Sequence, residues 1–289
     1  MELVLLGTGC PQCDPDRRGP ASLVRHGGLN FLVDCGSGVT QRLVEAGASG
    51  AAIDALLLTH LHTDHLVDFY QLVISSWHQG RDRPQRVFGP EGTRRFVEGT
   101  MELWRTEREL RIAHEKRPST RAFEIAVTEI GPGGFWDEDG VRIEAVAVAH
   151  QPVRQAFGFV FAAGGRRLAL SGDTTRCPAL IEAARGADAL LHECFIHREM
   201  RVGPGRSAEG MRNIAAYHTL SDVVGKVATE AGVGMLILNH FVPTRFDRAA
   251  LAAEVRRDWR GPLAIGEDLM RYDLDTRTLA HRDVVVALP

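Results

Sequence analysis

The stretch Thr59-His60-Leu61-His62-Thr63-Asp64-His65 closes a short aliphatic run, Ala55-Leu56-Leu57-Leu58. A continuous apolar run of this length, ended by a turn, suits a strand buried on both faces. His60 and His62 are two residues apart, so in extended backbone they point the same way. Asp64 and His65 fall where the chain turns into a helix expected over about Leu66 to Trp77. One segment thus offers two pairs of ligands to two metal sites close together. Zinc takes imidazole nitrogen and carboxylate oxygen, and a catalytic zinc keeps one position open for water. A single histidine at a strand end is usually structural or merely exposed. Three histidines and an aspartate at this spacing read as a metal site.

Composition sets the class. In 289 residues, 44% hydrophobic and 25% charged content is ordinary for a globular protein. No apolar run approaches the roughly 20 residues that cross a bilayer, so no membrane partner is expected. Met1-Glu2-Leu3-Val4-Leu5-Leu6-Gly7 lacks a basic start and a long apolar core, and reads as a first strand rather than a signal peptide. Five cysteines, an odd number without a secretory signal, suit reduced thiols in a cytoplasm. Cys10-Pro11-Gln12-Cys13 has no second C-x-x-C to complete a zinc site, and Pro11 suits a turn. A net charge of −3 gives no global basic field for nucleic acid.

The H-x-H-x-D-H pattern resembles the signature of the metallo-β-lactamase superfamily. That resemblance calls for a third His, an Asp and a final His in this order, each at a strand end. Ala149-His150-Gln151-Pro152 follows the apolar segment Val141–Val148. Ser171-Gly172-Asp173-Thr174 follows Leu168-Ala169-Leu170, and Asn239-His240-Phe241 follows Met235-Leu236-Ile237-Leu238. The resemblance runs from Met1 to about Asp273. It implies that His60, His62 and His150 hold one metal, that Asp64, His65 and His240 hold the other, and that Asp173 bridges both. The implied cofactors are two Zn2+ ions, with Mn2+ or Fe2+ as alternatives. The implied reaction is hydrolysis by a metal-bridging hydroxide, with Asp64 orienting the nucleophile. Periodicity alone gives only α/β or α+β. The resemblance implies two β-sheets face to face with helices outside, an αββα sandwich, here one domain over residues 1–289.

Within the superfamily, Asp34-Cys35-Gly36, Gly89-Pro90-Glu91-Gly92, Ser171-Gly172-Asp173-Thr174 and His218 resemble the ribonuclease Z branch, a phosphodiesterase that trims tRNA 3′ ends. By that resemblance His218 orients the substrate or donates a proton to the leaving oxygen; otherwise it is a buried helix-start histidine. Glu193, in Ala189-Leu190-Leu191-His192-Glu193, is expected to support the site from behind. Cys35 is expected to be a small buried residue, not a nucleophile.

One feature departs from the branch. Its members carry a long substrate-binding arm between the third His and the bridging Asp. Here 22 residues separate His150 from Asp173, enough only for a hairpin of Phe157–Phe161 with Leu168–Leu170 across Gly164-Gly165. The missing arm and a pI near 6.5 disfavour tRNA. The expected substrate is a phosphodiester of a small molecule or nucleic acid, with a small-molecule or nucleotide ester favoured over tRNA. A lactone, carboxylic ester or arylsulfate is the alternative, and a non-hydrolytic metal-binding regulatory protein or di-iron oxidoreductase a second one. A homodimer is compatible with the chain.

The remaining segments read simply. Gly7-Thr8-Gly9 is a turn rather than a nucleotide loop, since the third glycine and following helix are missing. Ala21–Arg25 and Asn30–Asp34 form a hairpin, and Val39–Ala46 a helix. Arg94 to about His114 reads as a helical segment, and Gly131–Trp136 as a loop whose aromatics pack on the next strand. Arg105 to Arg121 is locally basic and suits a solvated helix face, with phosphate binding as the alternative; His78 and His114 read as surface residues. Pro178–Arg185 is a helix, Arg198–Arg212 an irregular insertion loop, and Ser221–Ala231 a helix that Thr219 or Ser221 caps. Ala264–Leu269 is the last strand and a closing Asp turn.

Overall fold

Side chains alternate across a strand, so a strand buried on both faces splits its apolar residues between two cores. In β1 (Glu2–Gly7), Leu3 and Leu5 enter one core while Val4 and Leu6 enter another. After β2 (Ala21–His26), β3 (Leu29–Val33) repeats the split with Phe31 and Val33 against Leu32. Helix α1 (Val39–Glu45) and β4 (Ala55–Leu57) follow. Next come α2 (Phe69–His78), β5 (Gln85–Gly89), α3 (Thr93–Leu103), α4 (Arg105–Glu115) and β6 (Ile125–Glu129).

The second half begins with β7 (Gly133–Glu138), β8 (Val141–Ala147), β9 (Phe157–Ala163) and β10 (Arg166–Leu170). Then follow α5 (Pro178–Ala183), β11 (Ala189–Phe195), α6 (Ala208–Ala215), α7 (Val224–Ala231) and β12 (Leu236–Val242). Helix α8 (Arg248–Val255), β13 (Leu263–Ile265), β14 (Arg271–Asp273), β15 (Thr278–His281) and β16 (Val284–Ala287) complete the chain. This computed structural model describes residues 1–203, 205 and 207–288.

The strands form two sheets. One has nine, in the order β16-β15-β14-β1-β2-β3-β4-β5-β6; the other has seven, β13-β12-β11-β10-β9-β8-β7. The central core lies between them and contains Leu57, Phe159, Phe161, Leu170, Leu191 and Ile237. A second core packs α1, α2 and α3 on the nine-stranded sheet through Leu43, Leu72, Val73 and Val97. A third packs α5, α7 and α8 on the seven-stranded sheet through Ile181, Val227 and Leu251. This is the expected αββα sandwich. Helix-covered sheets need apolar strands on both faces, which Ala55–Leu58 and Met235–Leu238 supply.

Strand direction places the site. β3, β4, β5 and β6 are parallel, as are β10, β11, β12 and β13. Their carboxyl ends therefore gather Asp34, His60, Asp173, Glu193 and His240 at one edge of the sandwich, where open α/β sheets usually bind ligands.

Four local expectations change. The segment from Arg94 to His114 is two helices, broken at Trp104, whose ring stacks on Tyr70 at 5.0 Å. Gly131–Trp136 is not all loop. From Gly133 onward it is strand, with a register shift before Trp136 that turns its ring into the core, edge-on to Phe31 at 4.9 Å. Within Arg198–Arg212, Ala208–Ala215 is helical and Ser207 caps it through the Gly210 N–H; Pro204 and Arg206 lie outside the described residues. The helix expected from Ser221 starts at Val224 without a side-chain cap. The hydroxyls are tied elsewhere: Thr219 donates to the Thr174 carbonyl and Ser221 to Glu254. Helix α4 buries none of its residues, so the basic stretch is a solvated face through Glu115.

Candidate metal centre

Four of the expected ligands, His60, His65, His150 and His240, gather around one carboxylate oxygen, Oδ2 of Asp173. His240 Nε2 lies 3.3 Å from it, His65 Nε2 3.4 Å, His150 Nε2 3.8 Å and His60 Nε2 3.9 Å. Ligand atoms of His60, His62, His150 and Asp173 lie within 4.8 Å of one another, and so do those of Asp64, His65 and His240. The first group holds Asp173 with three of the expected ligands, the second holds the other three, and a third joins Asp173 and His240 with His218. His60, His65, His150, Asp173 and His240 are buried, and His62 is half-buried at the mouth.

Backbone geometry fixes the ligands. Thr63–His65 is a single 3-10 turn, which swings Asp64 and His65 away from His60 and His62. Gly172 has φ 58°, and a Cβ there would meet the Phe157 carbonyl oxygen at 2.4 Å. Only glycine lets the chain turn there before Asp173. His240 itself has φ 43°, a conformation costly for a residue with a side chain and the kind of strain found at functional sites.

Behind the ligands sits a layer that the sequence did not reveal. Asp34 Oδ2 accepts from His65 Nδ1 at 2.8 Å, and Asp34 Oδ1 accepts from the Thr59 N–H at 2.8 Å. Thr59 Oγ1 donates to Asp34 and faces His60 Nδ1 at 3.0 Å. The Tyr217 carbonyl accepts from His150 Nδ1 at 2.8 Å. Each such bond places a proton on Nδ1 and directs Nε2 at the centre, the orientation that metal-binding histidines take. The signal available for Asp34 was the Asp-Cys-Gly turn at the end of β3, beside β4. Cys35 is fully buried, as expected, and burial pushes its thiol well up.

Electrostatics agree with a cation site. Burial holds His60, His62 and His150 below the usual histidine pKa, which favours their neutral form. Burial opposes charge on His65, but Asp173 and Asp34 on either side hold it well above that value. Burial likewise opposes charge on Asp173, yet His240 and His65 hold its carboxyl well below the usual range. His60 Nε2 and Asp64 Oδ2 are buried with no hydrogen-bond partner. Nitrogen faces nitrogen at 3.3 Å between His65 and His240, and at 3.2 Å between His150 and His62. Converging lone pairs with orphaned atoms fit cations, not a hydrogen-bonded core.

His218 stands beside this cluster, 4.0 Å from Asp173 Oδ2. Its Nδ1 lies 2.9 Å from Glu193 Oε1, which also accepts from the Thr174 and Thr219 N–H groups. Burial opposes its protonation, but the Glu193 carboxylate outweighs this and raises its pKa to about 9. In a further grouping, His197, Asp222 and Glu254, the Glu254 carboxylate accepts from Arg198, Ser221 and Arg257, while His197 Nδ1 and Asp222 Oδ1 are buried without a hydrogen-bond partner. Cys10 is buried and Cys13 exposed, and His78 and His114 lie far along the chain from the cluster at a helix surface.

The model of the beta-lactamase superfamily domain matches residues 29–241, which sets the class. Solved structures of similar fold include the metallo-beta-lactamase fold protein YhfI from Bacillus subtilis and the short form of human tRNase Z. The first has a TM-score of 0.73 at 20% identity, covering 94% of this chain and 99% of that one. The second has 0.72 at 22%, covering 95% and 99%. Among curated relatives, the ribonuclease Z of Mycobacterium bovis is 36% identical over 96% of this chain and 99% of its own. That of Mycobacterium marinum is 37% identical over 96% and 100%. The chain therefore belongs to the ribonuclease Z family of the beta-lactamase superfamily. It is a metal-dependent hydrolase, and no helix among the described residues is long and apolar enough to cross a membrane.

Proposed function

We propose that the chain hydrolyses phosphodiester bonds in RNA at a centre of two divalent cations, zinc in the first instance. The observation that supports this is that histidines from both ligand sets, His60 and His150 from one and His65 and His240 from the other, lie around Asp173 Oδ2. His60, His62 and His150 would hold one ion and Asp64, His65 and His240 the other, with Asp173 shared. When bound, such ions supply Lewis acidity and an activated water at neutral pH. The protein's part is to fix geometry and protons. Asp64, with a buried unbonded oxygen, is placed to orient the attacking water. His218, held by Glu193, is placed to give a proton to the leaving oxygen. Glu193 acts through His218 as a positioning residue.

The missing arm had argued against tRNA. The mycobacterial relatives weaken that objection, because they match this chain almost end to end and leave no room for a long added arm. Their name, and not the global charge, favours an RNA substrate. The cytoplasm is the compartment where such a substrate resides.

The test is turnover of a precursor tRNA carrying a 3′ trailer and of bis(p-nitrophenyl) phosphate, by zinc-loaded and by chelated protein. Metal-dependent cleavage of both is expected, and Asp173→Ala should abolish it in a folded protein. Cleavage of the diester alone points to small phosphodiesters. Turnover of neither, by protein holding two metals, points to lactones, carboxylic esters or sulfates. Undiminished activity of Asp173→Ala would remove the shared-ligand assignment.

A further inference from the structure

A cleft of about 1000 Å³ opens beside the centre, between the loop after β1, the loop after β12, the Glu267–Leu269 turn and the β15–β16 turn. It contains none of the proposed metal ligands. It is at the upper end of the roughly 300–1,000 Å³ of a small-ligand site, so it takes more than a single phosphate.

Topology puts it on the working edge of the sandwich. β1 is antiparallel to β2, and β2 to β3, so the end of β1 lies at the same edge as Asp34 and His60. β14 is antiparallel to β1, and β15 to β14. The start of β14 at Arg271 and the end of β15 at His281 therefore reach this edge too. Arg17 joins the cleft to the centre. Its guanidinium lies 4.6 Å over the ring of Phe241, the neighbour of His240, and donates to the carbonyls of Gly266 at 2.9 Å and Thr244 at 3.2 Å.

The lining has six arginines: Arg17, Arg42, Arg245, Arg248, Arg271 and Arg282. Most of its carboxylates are already engaged. Asp14 pairs with Arg245, Glu45 and Asp268 pair with Arg42, and Glu267 pairs with Arg248 and His281. Asp16 lines the cleft without an ion pair, against Arg17, Arg271 and Arg282, which form none among the described residues. Six arginines face five carboxylates in the lining, so it keeps an excess of one formal positive charge on a chain whose net charge is −3. Arginine is well suited to phosphate oxygens.

We propose that this cleft is a phosphate-backbone subsite, holding nucleotides of an RNA substrate beyond the one at the metal centre. The proposal rests on the ribonuclease reading above. It supplies, from the edge of the nine-stranded sheet, contacts that this chain lacks an arm to make.

The test compares wild type with Arg271→Gln plus Arg282→Asn. Asparagine is chosen at position 282 because its φ is 54° and Asn tolerates that backbone. Zinc-loaded proteins are assayed on precursor tRNA with a 3′ trailer and on bis(p-nitrophenyl) phosphate, across a range of salt. The ratio of kcat/KM on RNA to that on the diester should fall about tenfold, the order expected for two lost phosphate contacts. The salt dependence of RNA turnover should flatten by about 1.4 in log–log slope, at roughly 0.7 per contact on a single strand. Arg185→Gln, an exposed arginine before β11 at the opposite sheet end, should change neither quantity. Should Arg271→Gln misfold for want of its bond to the Ala46 carbonyl, Arg282→Asn alone should flatten the slope by about half as much. If wild type cleaves RNA and the variants keep its ratio and slope, the subsite is refuted and the ribonuclease reading stands. If wild type cleaves only the diester, both fall.

Discussion

Replacing Asp34 by Asn removes one of the two acceptor oxygens behind the metal ligands while keeping the side chain's shape. Oδ1 holds the Thr59 N–H at 2.8 Å, and Oδ2 holds His65 Nδ1 at 2.8 Å. An asparagine has one carbonyl oxygen, so either Thr59 or His65 must face an NH2 group with its own N–H. A hydrogen bond to a charged group contributes about 1.5–3 kcal/mol. Loss of a partner behind a metal-binding histidine typically lowers metal affinity about 10–100-fold, which is about 1.4–2.7 kcal/mol. The two figures agree, so the weakened step should lie in that range. On the proposed division His65 belongs with Asp64 and His240, so that zinc affinity should drop more, with a smaller loss at the other because Thr59 Oγ1 links Asp34 to His60. Competition against a chromophoric zinc chelator resolves the two steps, and circular dichroism checks the fold. Two zinc affinities unchanged from wild type in a folded variant would refute this account of Asp34, and an equal loss at both would refute the division of ligands.

Other outcomes follow from the same geometry. His218→Ala should lower kcat on RNA about 10²–10⁴-fold, the usual range for a lost proton donor, with both zinc ions retained by metal analysis; loss of metal would mean that His218 is a ligand. Gly172→Ala should destabilise the fold by about 1–3 kcal/mol in urea denaturation, because the added Cβ meets the Phe157 carbonyl at a positive φ; a wild-type midpoint would contradict the crowding. His192 is fully buried, and burial lowers its pKa, so it stays neutral when folded and takes a proton near its ordinary value when unfolded. Its contribution to stability is thus complete above about pH 6.5 and is lost as pH falls from there through the lowered value. His192→Gln should flatten that acid limb in a pH series of denaturation curves; an unaltered limb would assign it to other groups.

The candidate centre was legible because its ligands come in one dense motif followed by single residues at the ends of apolar strands. The helix break at Trp104, whose ring stacks on Tyr70, was not, and neither was the strand at Gly133, whose glycines look like loop until β8 pairs with them. The cap on α6 was available in Ser207 and was obscured by the surrounding glycines and arginines.

By itself the sequence singled out the candidate ligands and how the apolar positions alternate, because both are properties of neighbours along the chain. His60, His62, Asp64 and His65 are close whatever the rest of the chain does. Tertiary structure alone decided that Asp34 stands behind His65, that Glu193 grips His218, that Arg17 bridges Gly266 and Thr244, and that six arginines line one cleft. Those contacts join residues far apart in sequence, and they exist only once parallel strands have brought their carboxyl ends together.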